Sequence, residues 1–311
     1  MKFGLQHPSF SFDGSESQLS DKLFGHVNRA EDLGFDSFWL MDHFHQIGML
    51  GPPQEPMLEG WTTISALSGT TSKIRFGTLV TGVVYRHPSI LAKMSSTLDV
   101  LSKGRLWMGI GAAWNEEEAK AYGIPFPPAK ERLDRLEEAV QIVLKMWTEE
   151  KTTFEGKYYQ IKDAYCYPKP VQKPHPPLMI GGAGEQRTLK IVAKYADGCN
   201  LFGSPETIKR KLLVLRNHCN EVGTNYNSLL KTKLSHLIID KNKETLEKRI
   251  NQTLGQMPEE EKRERVIYGT PDNVREQIQA FEDSGIEYMI FNFQPNYESQ
   301  DMELFSQEII K

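Results

Sequence analysis

The chain predicts a closed (β/α)8 TIM barrel, an α/β fold, and three observations predict it. Short apolar runs of strand length alternate with longer helical patterns along all 311 residues. Those runs are apolar on both faces, as strands of a buried parallel sheet are. The same join also recurs. Leu33-Gly34 precedes FDSFWLM and Lys103-Gly104 precedes RLWMGIG, while ADGCNLFG and SGIEYMIFNF open in the same way. A glycine there suits the left-handed backbone that stops a helix. A doubly wound open sheet is the alternative.

The elements follow in order. Strands are expected near 2–7, 35–41, 74–80, 105–110, 177–181, 198–202, 232–239 and 286–293. A helix through Ala30 joins the first two strands. A long loop, 43–60, with GPPQEP inside, follows the second. Loops after barrel strands lie on the catalytic face. Helix 88–102 places Leu91, Met94, Leu98 and Leu101 on one face. Helix 128–148 carries the stripe Leu133, Leu136, Val140, Val143, Leu144 and Trp147, with charges opposite. Residues 150–176, which include FEGKYYQIKDAYCYPKPVQKPHP with a turn at Glu155-Gly156, read as an insertion after the fourth βα unit. No sharp boundary divides the chain, so one domain spanning 1–311 is expected.

Composition narrows the function. The formal net charge is −4 and no long basic run stands out, which disfavours nucleic acid and anionic membranes as partners. No stretch approaches the ~20 apolar residues of a membrane span. MKFGLQHP passes straight into a strand-like segment, so no signal peptide is expected. The three cysteines, Cys166, Cys199 and Cys219, are odd in number and widely spaced. That pattern supports neither a disulfide framework nor a CxxC zinc site, and points to the cytoplasm.

Polar groups mark the strand ends. Asp42 and His43 follow the second strand, where a barrel places its chemistry. Histidine exchanges protons near neutral pH and a carboxylate can orient it. The alternative is a loop cap and a backbone hydrogen bond. Asp42, His43, His45 and His87 are metal-ligand types, but their spacing matches no tight zinc pattern, and no metal is expected. Gly82 interrupts a β-branched run in TLVTGVVYRHP, as at a bulge or a close approach. Arg86 and His87 read as surface residues or anion contacts. In MGIGAAWNEEE, Gly111, Ala112 and Ala113 leave room beside the backbone. Asn115 reads either as a group facing a planar ring or as the cap of the helix that Glu116–Glu118 open. Gly181, Gly182, Ala183 and Gly184 stand between an apolar strand and a helix, where backbone N–H groups can hold a phosphate.

Taken together, AEDLGFDSFWLMDHF, the run from LEGWTTISALSG to AYGIPFPP, RLDRLEEAVQIVLKMW and PHPPLMIGGAGEQRTLKIVAKYADGCN resemble the luciferase-like monooxygenase superfamily. Within it they most resemble the oxidoreductases that use the deazaflavin coenzyme F420. The resemblance implies a barrel with an insertion after unit four, a homodimer, and a ring system at the C-terminal mouth. It implies hydride exchange with a small organic substrate, with His43 beside the reactive carbon and Asp42 helping to hold the ring. It matches Gly82-Val83 to a non-prolyl cis peptide behind the ring, Gly111, Ala112 and Asn115 to the ring-lining segment, and Gly181 to Gly184 to the phosphate site. An aromatic pocket of Trp39, Phe44 and Trp114 would exclude water, with Arg187 and Lys190 near the phosphate turn. Some deazaflavin dehydrogenases carry a glutamate in the strand-four loop. Here that loop is GAAWN, which argues against a sugar-phosphate mechanism. The competing reading on the same barrel is an FMN-dependent monooxygenase.

Overall fold

The computed structural model describes residues 1–12 and 16–311. The elements run β1 (Lys2–His7), α1 (Leu19–Asp32), β2 (Ser37–Leu40), α2 (Gly60–Ser68), β3 (Arg75–Thr78), β4 (Thr81–Gly82), α3 (Pro88–Leu101) and β5 (Met108–Gly111). Next come α4 (Glu116–Ala121), α5 (Ala129–Thr148), β6 (Thr152–Glu155), β7 (Gln160–Ala164), β8 (Leu178–Gly181), α6 (Thr188–Tyr195), β9 (Gly198–Leu201) and α7 (Pro205–Val222). The chain ends with β10 (Leu230–Ile239), α8 (Lys243–Leu254), α9 (Glu259–Arg265), β11 (Val266–Gly269), α10 (Pro271–Asp283), β12 (Tyr288–Phe293) and α11 (Glu298–Phe305).

The parallel strands pair in the order β3-β2-β1-β12-β10-β9-β8-β5. A bridge between Phe76 and Leu106 closes the ring. It is held by Phe76 N–H donating to Arg105 O at 2.9 Å and Trp107 N–H to Phe76 O at 2.7 Å. The barrel is therefore the expected TIM type rather than an open sheet. Besides the two-residue β4, one strand of this sheet was not foreseen: β11 pairs with the second half of β10. Its four residues, VIYG, are too short to show a period.

The joins behave mostly as the glycines predict. Gly34, Gly104 and Gly285 have φ of +91°, +82° and +105°. Gly198 differs: it already belongs to β9, and a side chain there would meet the Leu230 carbonyl. Leu101 departs from the α3 stripe and is 62% exposed, because it closes the helix just before the turn at Lys103 and Gly104. In α5 the stripe holds, with Leu136, Val140, Val143 and Trp147 all buried.

Residues 152–164 form the antiparallel hairpin β6–β7. Glu138 on α5 accepts the amides of Lys157, Tyr158 and Tyr159. The following segment lies along α3, where buried Asp99 accepts from Val171 and Gln172. This segment therefore sits on the outer face of the helices. Its approach to the mouth is Tyr159 edge-on to His87, at 5.4 Å.

Inside the barrel the side chains form two layers. Trp39, Trp107, Met179, Tyr288 and Ile290 fill the lower one. Above them the filling turns polar. His236 meets Asn292 at 2.7 Å, Asn292 donates to Gln6 Oε1 at 3.2 Å, and Gln6 donates to the Leu79 carbonyl at 3.3 Å. The apolar layer is packing, and the polar layer is the floor of the C-terminal mouth. Outside the wall, Arg249 on α8 pins α11 by a buried bidentate pair with Asp301, at 3.0 and 2.5 Å.

Candidate active site

Register assembles the mouth. Gly82 pairs with Gly111, Gly111 with Gly181, and Gly181 with Asn200, so strand ends far apart in sequence lie in one row. Gly111 and Gly181 do not leave empty space. A side chain on either would meet Val80, with Cγ atoms at 2.9 and 2.8 Å. Val80 follows a non-prolyl cis bond from Leu79, and both residues are half-buried. This corrects the placement of that bond at Gly82-Val83. Gly82 is instead covered by the Tyr85 ring and Ala113, and Val83 is buried. The bulge arises where β3 ends, three residues before the glycine that seemed to mark it.

His43 stands beside this floor. Its side chain is 12% exposed, and Nδ1 lies 2.7 Å from Glu118 Oε2. Glu118 is the residue sequence reasoning missed. Its position in α4 reads as a helix-dipole acid, yet its side chain is fully buried. Besides His43 it accepts from Tyr85 Oη at 2.6 Å, Phe44 N–H at 2.5 Å and His45 N–H at 3.2 Å. Burial alone would raise its carboxyl pKa. The hydrogen bonds of His43, Tyr85 and Phe44 outweigh that and push it down to about 2. Burial and this carboxylate push the Tyr85 phenol up, so it stays a donor. The ionised Glu118 accepts a hydrogen bond from the Nδ1–H of His43, which leaves Nε2 as the atom that meets a ligand. The signal was faint: Glu118 lies three residues after its cap, Asn115, and so points back towards the barrel.

Asn115 is that cap, its Oδ1 accepting from Glu118 N–H at 3.3 Å, and it is buried. Of its two sequence readings, the structure favours the cap. Ala112 is half-buried and its carbonyl accepts from Arg132 Nε at 3.0 Å. Asp42 does not face the mouth. Its side chain is fully buried and both oxygens bind Arg86, at 2.6 and 2.9 Å. Arg86 also binds Glu59, which caps α2 through Trp61 and Thr62 N–H. Asp42 and Arg86 thus tie the loop after β2 to the one after β3. Arg86 is neither a surface residue nor a free anion contact.

Trp39 is removed from the expected pocket, since it is fully buried in the lower layer and donates to Ser37 at 2.6 Å. Trp114 and Phe44 remain. Trp114 is 57% exposed and edge-on to His43 at 5.5 Å. Phe44 lies 4.9 Å from both Tyr85 and Tyr122. His45 faces the Gln46 carbonyl, and His87 caps α3 through Ser89 N–H.

Gly181 to Gly184 form a half-open turn, with Gly182 at φ +124°. Gly182 N–H donates to Asn200 O at 3.3 Å, whereas the Ala183 and Gly184 amides have no partner among the described residues. Helix α6 begins only at Thr188, which comes near both Gly182 and Gly184. The nearby cations are taken: Arg187 pairs with Asp134 at 2.6 Å, and Lys190 with Glu221 at 3.7 Å. A depression lined by Met1, Asp36, Arg75, Arg275 and Glu282 lies at the opposite end of the barrel. In such barrels that face carries stability rather than chemistry. No helix among the described residues is long and apolar enough to cross a membrane.

The profile of luciferase-like monooxygenases matches residues 1–256. The chain belongs to the luciferase-like monooxygenase family. Among relatives of this family, an F420-dependent glucose-6-phosphate dehydrogenase of Microbacterium testaceum is 29% identical over 100% of this chain and 96% of its own. One of the same name from Intrasporangium calvum is 38% identical, over 56% of this chain and 50% of its own. The coenzyme F420-dependent tetrahydromethanopterin reductase of Methanopyrus kandleri shares the fold, with a TM-score of 0.81 at 19% identity over 99% of this chain and 98% of its own. So does a monooxygenase of Streptomyces bottropensis, with 0.82 at 23% identity over 100% and 99%. The luciferase-like fold thus serves both kinds of enzyme.

Proposed function

We propose that this luciferase-like protein is an oxidoreductase that uses coenzyme F420 to act on a small organic molecule. The observation that carries the reading is His43, just past the end of β2, with Nδ1 on a buried, ionised Glu118 and Nε2 left for a ligand. The names of the curated relatives support the coenzyme. The residues present fit it. Val80, packed over Gly111 and Gly181, would back its planar ring, and the unpartnered amides of Ala183 and Gly184 would suit its phosphate. Bound F420 supplies two-electron hydride chemistry.

The chain's own residues do the rest. His43 Nε2 gives or takes the balancing proton. Glu118 fixes which nitrogen faces the mouth, and Tyr85 and the Phe44 amide fix Glu118. Trp114 packs edge-on against the His43 ring. Asp42 acts through Arg86, holding the two loops together rather than touching the ring. The sugar phosphate of the relatives' names is not carried over, because the strand-four loop GAAWN holds no acid. A homodimer, on the family resemblance, and a cytoplasmic place, on the three free cysteines, complete the reading.

The test is fluorescence titration of the apo-protein with F420 and with FMN, side by side. Selective F420 binding is expected. Preference for FMN refutes the reading and moves the protein to the oxygen-using branch.

A further inference from the structure

Outside the mouth, one group of three metal-ligating side chains occurs among the described residues: His7, His26 and Glu298. They come from the end of β1, the middle of α1 and the first residue of α11. Their relative exposures are 2%, 9% and 6%. Gln6 points into the barrel and His7 points out, so the group lies between the wall and the two helices. Phe10, Phe12 and Phe38 enclose it, with ring centroids 5.4–6.0 Å from that of His7.

The distances are long for charge-assisted hydrogen bonds. A charge-assisted bond closes to about 2.7–2.9 Å. The His43–Glu118 pair does so, at 2.7 Å. Here His7 Nδ1 stands 3.1 Å from Glu298 Oε2 and 3.2 Å from Oε1, within hydrogen-bond reach, and His26 Nε2 stands 3.3 Å from Glu298 Oε1. His26 Nε2 makes no hydrogen bond although it is buried. Two ligand atoms each about 2.0–2.1 Å from one tetrahedral ion stand about 3.3 Å apart. The two imidazoles lie side by side, with centroids 4.7 Å apart.

We infer that His7, His26 and Glu298 bind a divalent transition-metal ion of the zinc class. Two imidazoles and one carboxylate suit zinc better than calcium or magnesium, and leave one place for water. The ion would join residues 7, 26 and 298, fastening α11 and α1 to the strand whose next inward residue, Gln6, floors the mouth. It takes no part in the proposed coenzyme chemistry.

The test strips the full-length protein with chelator and adds Zn2+ or Co2+. About one equivalent per chain is expected, with the visible d–d band of nitrogen- and oxygen-ligated cobalt. His26→Gln and Glu298→Gln lose it, and His43→Ala keeps it. Retention in His26→Gln, loss in His43→Ala, or no stoichiometric binding by the wild type overturns the inference. Where the variants fail to fold, X-ray absorption of the zinc-loaded wild type decides. A shell of two imidazoles and oxygen supports the site, and any other shell overturns it. F420 titration is read separately, so the two proposals fail independently.

Discussion

Glu118→Gln is the substitution that tests most directly how the mouth is built. Each Glu118 oxygen accepts from two donors, Oε2 from His43 and Tyr85 and Oε1 from Phe44 and His45. Glutamine keeps one acceptor oxygen, so a pair of donors must face an amide N–H2. The magnitude follows from linkage. The carboxyl falls from 4.5 to about 2 in the folded protein. At 1.36 kcal/mol per unit that is at most about 3 kcal/mol for this side chain. The folded pKa lies below the unfolded one. The contribution is therefore complete above about pH 4.5 and is lost as pH falls towards 2. Urea unfolding should show the variant less stable near neutral pH by up to about 3 kcal/mol, with the gap narrowing by about half near pH 3. Turnover should fall by about 10–100-fold with F420 affinity little changed, because the ring of His43 is misdirected rather than absent. A gap that does not vary with pH, or wild-type turnover, refutes the reasoning.

Three further outcomes are expected. His43→Ala should keep F420 binding and lose about 10²–10⁴-fold in turnover, measured by steady-state kinetics, and full activity would sink its role. Arg86→Met strands the buried Asp42 carboxylate and should cost about 3–5 kcal/mol by denaturant titration, and adding Asp42→Asn should recover part of it. Gly181→Ala drives a methyl group into Val80, at a cost of about 1–3 kcal/mol, and Val80→Ala in the same chain should relieve it. Independent additive losses would show that the two residues do not touch.

The sequence by itself determined the barrel. The alternation of strand and helix periods, the positive-φ glycines at 34, 104 and 285, and the α5 stripe are local consequences of backbone sterics and burial. It also brought forward Asp42, His43 and the glycine turn at 181–184, because strand ends in a parallel barrel are set by chain order. Tertiary structure decided what those residues touch. Asp42 is claimed by an arginine 44 residues away, His43 by a glutamate 75 residues away, and the space beside Gly111 and Gly181 by Val80. Trp39 belongs to the lower layer because strand parity and register bring it against Trp107. The cluster of residues 7, 26 and 298 spans nearly the whole chain. Hydrogen bonds and packing act over a few ångströms, so they follow proximity in space, which pattern along the chain does not carry. Only closure of the barrel brings such partners together.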